Sequence, residues 1–547
     1  MGSHFIYNRR MLRSAPVNSS RLSLGVFAKV ASAVFLFAAC GDDSGLADEG
    51  AVTDSGTSDT QTSTADDGSD DGSDSSDSGQ PATEIHARGI RITAVEANQG
   101  VGVNIASDGV WVDGASRNSP LLGGRDTLVR AYWEYDADWT PREIEARLTL
   151  YPPDAEPYTR TRRTFVEQES SGKYIDRSWY FSIPEDEAVE GLKFQVSLFE
   201  VDESFGSLPE PETPPVSPLA GENWVGFEEQ PMQLKIHVVP FISAWSGCNR
   251  EPDTSDAVRA RFEEIMLQRN ALHEVDITWE SPETITFQVN SFNQLFPYLD
   301  DRRVANGLLP NVYYYGLIDA CTGDLSGAGG LAMTIPGDSM EAGFQRISAG
   351  LSLGLDWTST TFVHEVGHTQ GLMHAYCASN PNDGPDPNFP HDDARIGAWG
   401  FGIKDFIIRD RDNARDYMSY CYNGSWASDY HWWKTYNRIR TLTSWETGGD
   451  HQEPTTQSVL VSLVDGDGRV TSYVTEGVID DSFGEHQAVE VETHAGRLRL
   501  NGQSRVQPDG DGRVVVAPWP GLEGEALELV LPGLGRAVGP ELDRLHN

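Results

Sequence analysis

Along the first part of the foldable chain, apolar and polar residues alternate in short runs separated by Pro, Gly and Asp. The runs are Ile90 to Val95, Thr127 to Tyr135, Ala146 to Tyr151, Trp179 to Ile183 and Leu192 to Val201. A period of two marks strands with one buried face. Strand after strand with no convincing helix over 88–230 predicts a β-sandwich of immunoglobulin type. Such an accessory domain would pack on its neighbour in the chain or bind a partner, and a chaperone or inhibitory pro-domain role is a further reading.

The pattern changes near residue 231. Leu234 to Val239 reads as a strand with one apolar face. Thr254 or Ser255 can cap a helix on which Val258, Phe262, Ile265 and Met266 share a side. Strands are expected at Ile285 to Val289 and Val312 to Ile318, and the Gly-rich run Ser326 to Ala332 comes next. Beyond about Thr455 short strands return, with Asp-Gly-Asp-Gly-Arg-Val at Asp465 to Val470 and again at Asp509 to Val514. These lack the Asx and Glu positions of a full calcium loop, so hairpin turns explain them better and structural Ca2+ is unsupported. A region from about His86 to Asn547 is too long for one core. The expected fold class is multidomain, with a mixed α/β (α+β) domain over 231–450 between the sandwich and a small β domain over 451–547.

Residues 1–39 read as an export signal. Arg9, Arg10, Arg13 and Arg21 precede a short apolar run from Val30 to Ala39, too short for a confident membrane span. Leu36-Phe37-Ala38-Ala39-Cys40 resembles a bacterial lipobox, which implies lipid on Cys40 and a protein held at the cell envelope, by the outer membrane or outside the cell. Cleavage nearby and simple secretion is the alternative. Residues 40–87 are an acidic tether of Asp, Ser and Gly that buries too little to order itself. The whole chain has 83 Asp and Glu against 41 Lys and Arg, which argues against a nucleic-acid partner. Setting Cys40 aside, Cys248, Cys321, Cys377 and Cys421 suit an oxidising compartment and allow three pairings.

The chemistry concentrates in His364-Glu365-Val366-Gly367-His368-Thr369-Gln370-Gly371-Leu372-Met373-His374. On a helix, His364 and His368 project from one face and can share an ion. Gly371 can end that helix in a left-handed turn and return His374 as a third ligand. Three neutral imidazoles leave a tetrahedral Zn2+ one open position for water, and Glu365 stands beside it as general base. Some tens of residues on, Asp416-Tyr417-Met418-Ser419-Tyr420-Cys421 carries a methionine that can floor the imidazoles.

Together these two segments resemble the metzincin zinc metalloproteases, closest in flavour to the gametolysin-like and mucin-cutting secreted branches. The resemblance covers roughly Leu234 to Glu446, and only the zinc and methionine-turn motifs are specific. It implies one catalytic Zn2+ on His364, His368 and His374, Glu365 as proton shuttle, and Tyr420 steadying the oxyanion or simply packing beside the turn. It also implies that protein or glycoprotein is cleaved, that Gly330 to Thr334 is either an edge strand that holds substrate or an ordinary turn, and that Trp426 or Tyr430 either lines the pocket past the scissile bond or packs in the core. Because the third ligand and the methionine turn must meet, Cys377 is favoured with Cys421, leaving Cys248 with Cys321. No recognisable pro-segment motif surrounds Cys248 to make it a metal-blocking switch. His391 and His431 read as structural, since a fourth ligand would close the site. The rival expectation is a surface adhesin whose β domains do the work on a zinc platform without turnover. Zinc hydrolysis of an amide other than a peptide bond would use the same residues.

Overall fold

In the computed structural model, the polar-apolar alternation becomes strands almost where it occurs. The structure describes residues 84–547 apart from 326, 382–383, 422–424, 448–454, 481–482, 523–524 and 546–547. The expected export signal, Cys40 and nearly all of the tether lie outside the described residues. Strand accounts for 39% of the described residues and helix for 19%, so the protein is β-rich, which is consistent with several β layers in one chain.

Two antiparallel sheets form the N-terminal layer. One runs Val110–Trp111, Gly102–Ser107, Ile90–Asn98, Thr127–Tyr135, Trp179–Ile183, and the other Val216–Ser217, Lys193–Glu200, Arg142–Tyr151, Tyr158–Val166. In Arg142–Tyr151 every second residue is buried, which turns Ile144, Ala146, Leu148 and Leu150 onto Trp179 and Phe194 in one core. Tyr158–Val166 escapes the alternation rule because its inward and outward positions are mostly Thr and Arg. Its buried partners lie on the neighbouring strand, so the sheet supplies the pattern that this strand lacks.

The middle sheet is built on Gln233–Trp245, longer than the expected Leu234 to Val239. Its order is Cys248–Arg250, Gln233–Trp245, Val312–Ile318, Ile347–Leu351, Gly330–Ala332. Gln233–Trp245, Val312–Ile318 and Ile347–Leu351 are parallel, and Gly330–Ala332 runs antiparallel at the end. Helix α1 (Asp256–Arg269) starts at Ser255 as expected, but neither Thr254 nor Ser255 caps it through its side chain. Asp253 instead accepts from the Ser255 amide at 2.9 Å and closes the approach to the helix. The strand expected over Ile285 to Val289 stops at Ile285, because Gln294 accepts from the amides of Asn290 and Ser291 and bends the chain into a capped turn. Helix α2 (Phe296–Ala305) follows with Pro297 in its first turn, where a missing N–H costs nothing. Helix α3 (Leu355–Thr369) and helix α4 (Asp429–Thr447) pack across the sheet, joined through Phe262, Phe362, Val366, Trp432 and Tyr436.

The last sheet has seven antiparallel strands, from Val470–Gly477 at one edge to Gly535–Val538 at the other. Both Asp-Gly-Asp-Gly segments are hairpin turns, one between Gln457–Val464 and Val470–Gly477, the other between Gly496–Val506 and Arg513–Pro518. This sheet does not stand apart. Val459, Val461, Tyr473, Val514 and Val516 share one core with Leu331, Met333, Phe344 and Ile347 of the middle region. At the other side Arg125, buried in the sandwich, donates to the carbonyls of Leu267 (2.7 Å) and Leu272 (2.6 Å) at the end of α1 and just beyond it. Disulfides join Cys248 to Cys321 and Cys377 to Cys421. Among the described residues no helix is long and apolar enough to cross a membrane.

Candidate metal centre

Helix α3 carries His364, Glu365 and His368 on a face that is buried throughout. The helix ends where Gly371 adopts φ +87°, with the Gly371 amide donating to His368 O at 2.8 Å and the Leu372 amide to Gly367 O at 3.1 Å. That left-handed turn is the one the chain needs to bring His374 back, and an L side chain would strain it. Arg438 of α4 donates to the Thr369 carbonyl at 3.1 Å and seals the helix terminus.

Each of the two helical histidines is oriented by its far nitrogen. His364 Nδ1 is 2.8 Å from Tyr417 O and His368 Nδ1 is 2.8 Å from Leu372 O. With Nδ1–H donated to a carbonyl, Nε2 presents a lone pair to the centre. The Nε2 atoms of His368 and His374 are 3.2 Å apart. Two nitrogens bound at about 2.05 Å to a tetrahedral ion would lie roughly 3.3 Å apart, so the spacing fits. Burial is the main reason the His368 pKa falls to about 4, and it therefore stays neutral, as a ligand must. His364 Nε2 and Glu365 Oε2 are buried and make no hydrogen bond among the described residues. Buried polar atoms left without partners are costly, and a cation with its water would satisfy both.

The turn holding Met418 is organised by Asp416. Its oxygens accept from the amides of Met418 (2.8 Å) and Ser428 (2.9 Å), and His431 Nδ1 lies 2.8 Å away. Met418 is fully buried against α3, where a Cβ on Gly367 would come within 2.5 Å of its sulfur. Burial works against the Asp416 charge, but His431, Ser428 and the Met418 amide outweigh it and hold the carboxyl below its ordinary value.

Glu365 faces the edge strand. The Ala332 amide donates to it, and a Cβ on Gly330 would lie 2.5 Å from its Oε1. Only glycine allows that approach. Burial first, and then the neighbouring Asp509 carboxylate, push the Glu365 carboxyl well above its ordinary value. Leu331 pairs with Ala349 inside the sheet, which leaves the peptide groups of Gly330 and Ala332 turned toward α3.

No family model matches the chain, and no curated protein matches it. Among solved structures, a cycloisomaltooligosaccharide glucanotransferase from Paenibacillus sp. complexed with cycloisomaltoheptaose is similar at 9% identity. The match covers 82% of this chain and 72% of that one, with a TM-score of 0.13. A score that low carries no argument about fold or activity.

The structure thus brings His364, His368, His374, Glu365 and Tyr420 together. The Tyr420 ring lies tilted against His374, 4.9 Å between ring centres, and stacks on His364 at 5.8 Å. It leaves the other candidates elsewhere. Trp426 is buried, and its indole donates to Gly100 O at 2.7 Å, so it packs between layers rather than lining a substrate pocket. Tyr430 donates to Asp386 at 2.9 Å and braces the loop after His374, whose carbonyl accepts from the Asp386 amide. His391 pairs with Asp429 and His431 with Asp416, both away from the centre. A cavity of about 600 Å3 opens against the sandwich beside Glu96, Tyr132 and Trp399, but no histidine trio converges on it.

The residue that the sequence reading missed is Asp509. Its Oδ2 lies 2.8 Å from His368 Nε2, and its Oδ1 lies 2.7 Å from His374 Nε2 and 3.4 Å from His364 Nε2. The Tyr420 hydroxyl donates to the same Oδ1 at 2.6 Å. No signal marked it, because its turn has the same six residues as the turn at Asp465.

Proposed function

We propose that the chain is a zinc-dependent endopeptidase of metzincin type that cleaves extended segments of extracellular proteins or glycoproteins. The observation that carries this reading is the convergence of three imidazoles, two of them oriented by backbone carbonyls, on one point beside a buried carboxylate. Zinc binding alone does not need that carboxylate, which favours turnover over a passive platform.

When bound, zinc would polarise the scissile carbonyl and lower the pKa of its water to about 7. His364, His368 and His374 would hold it, with Tyr417 O and Leu372 O fixing the tautomers of the first two. Glu365 takes the proton from the attacking water and returns it to the leaving amine; its raised affinity for a proton suits both transfers. The peptide groups of Gly330 and Ala332 supply backbone hydrogen bonds to a substrate laid along them, and the Ala332 amide keeps the Glu365 carboxylate in line. The Tyr420 hydroxyl, which donates to Asp509 here, would donate to developing negative charge on the carbonyl oxygen.

The test is metal content together with turnover. One zinc per chain should be lost in His368→Ala and kept in Glu365→Ala, while a mixed panel of denatured proteins and glycoproteins is cut by the native chain and not by Glu365→Ala. A native chain that binds no zinc refutes the proposal. Turnover by Glu365→Ala within tenfold of native removes Glu365 from the chemistry.

A further inference from the structure

An open catalytic zinc keeps three protein ligands and leaves the fourth position to water; four protein ligands close it. Here a fourth side chain, Asp509, already stands among the three imidazoles. The Asp509 carboxylate is 5% exposed and reaches the Nε2 atoms of His368 and His374 at hydrogen-bond distance. It also accepts from Tyr420, the hydroxyl placed to meet the oxyanion, and it faces Glu365, the proposed base. One side chain therefore stands against the imidazoles, the Tyr420 hydroxyl and the Glu365 carboxyl at once.

Comparison within the molecule separates this from an ordinary turn contact. In the twin turn, Asp465 uses Oδ1 to accept from the amides of Asp467 (3.0 Å) and Arg469 (2.9 Å), closing its own loop. Asp509 occupies the same place in an identical hexapeptide, yet its oxygens go to His368, His374 and Tyr420. The turn is also held at its base. Gln507 and Asn293 exchange amide hydrogen bonds at 2.9 and 3.1 Å, Arg505 donates to Ile335 O at 2.9 Å, and the Gln507 amide donates to Gly512 O at 2.9 Å. The carboxylate is thus delivered by anchored strands of the C-terminal sheet.

We infer that Asp509 is a built-in fourth metal ligand, and that the C-terminal sheet holds most copies of the full-length chain in a closed state with low residual turnover. The inference rests on the zinc-peptidase reading. Its ligand class is a divalent cation with tetrahedral preference, and its action is to exclude water and any zinc-binding group of a substrate.

The experiment uses the full chain, native, Asp509→Asn and Asp509→Ala, each loaded with Co2+ as a visible probe of coordination and titrated with acetohydroxamate, which needs an open position on the metal. All three should bind one Co2+ per chain. The two variants should differ from native in the visible spectrum and bind acetohydroxamate at least tenfold more tightly, and their zinc forms should cleave the protein panel at least tenfold faster. Because the Asp509 oxygens do not close their own turn, both variants should keep the native circular dichroism; if either unfolds, the native chain still decides. Micromolar acetohydroxamate binding by the native chain overturns the inference, as do identical spectra and affinities in all three. Failure of every chain to bind Co2+ overturns the zinc reading itself, and the fourth ligand with it.

Discussion

Replacing Gly330 by Ala tests whether the edge strand positions the proposed base. A Cβ there would sit 2.5 Å from Glu365 Oε1, 2.7 Å from Glu365 Cγ and 2.7 Å from Thr361 Cγ2. Contact between such atoms is comfortable near 3.5 Å, so one side must retreat by about 1 Å. Thr361 and Glu365 both lie on α3, which is packed against Phe262 and Tyr315, and the strand is hydrogen-bonded to Ile347–Leu351. The Glu365 side chain is the part that can yield. A displacement of that size in a catalytic group costs on the order of 10²-fold in rate. The three histidines are not touched, so zinc should remain at one per chain. Gly329→Ala is the control. Its Cβ meets the ring of Trp357, which is 41% exposed and free to swing, so turnover should change by less than about threefold. The assay is kcat on a fluorogenic peptide taken from a mapped cleavage site, in whichever of the native and Asp509→Asn chains turns over faster. Equal kcat in Gly330→Ala and Gly329→Ala, with both folded and zinc-loaded, would show that the edge strand does not position Glu365.

Three other outcomes rest on buried structure. Removing the Cys377–Cys421 bridge as a double Ser variant frees a loop of separation 44 and should cost up to about 4 kcal/mol, read from urea midpoints, with weaker zinc retention because the loop begins just past His374. Arg125→Leu leaves the carbonyls of Gln99, Leu267 and Leu272 without their donor and should destabilise the chain by about 3 kcal/mol or more; a loss under about 1 kcal/mol would show that the sandwich is not keyed through this side chain. Asp416 has a folded pKa below its unfolded value of about 3.9, so the stability it contributes is complete above about pH 4 and is lost as pH falls through the lower folded value. Asp416→Asn should flatten the fall of urea midpoint as pH drops below about 4, and an unchanged slope would remove Asp416 from that linkage.

The parts of the molecule legible in its sequence are those whose cause is local. Helical spacing put His364 and His368 on one buried face, and Gly371 took the left-handed turn that its position required. Alternation located Thr127–Tyr135 and Trp179–Ile183 to the residue, because each strand carries its own buried side. In Tyr158–Val166 only Val166 is buried, and α2 hides behind a Pro and a run of charges, so neither declared itself. Trp426 illustrates the limit for site residues: its place after the methionine turn suggested a pocket wall, and its indole instead found a sandwich carbonyl 326 residues away. Asp509 marks the same limit more sharply. The two Asp-Gly-Asp-Gly-Arg-Val segments are identical, but the second hairpin closes at Val506–Arg513 and adds Gln507-Pro508 to its loop, and nothing in that difference says that Asp509 reaches the histidines.

The core shared by the C-terminal sheet and the edge-strand region has a mechanical consequence. Tyr473, Val514 and Val516 are buried with Leu331 and Met333, and Arg303 ties α2 to Thr475 and Glu476. Swinging the sheet away would expose that whole surface to water, at a cost comparable to unfolding it. The tip between Gln507 and Gly512 is held by far less, the amide exchange with Asn293 and the Asp509 contacts to His368, His374 and Tyr420. The molecule is therefore built like a door whose frame cannot move and whose latch is six residues long. Whatever opens it must act on the latch.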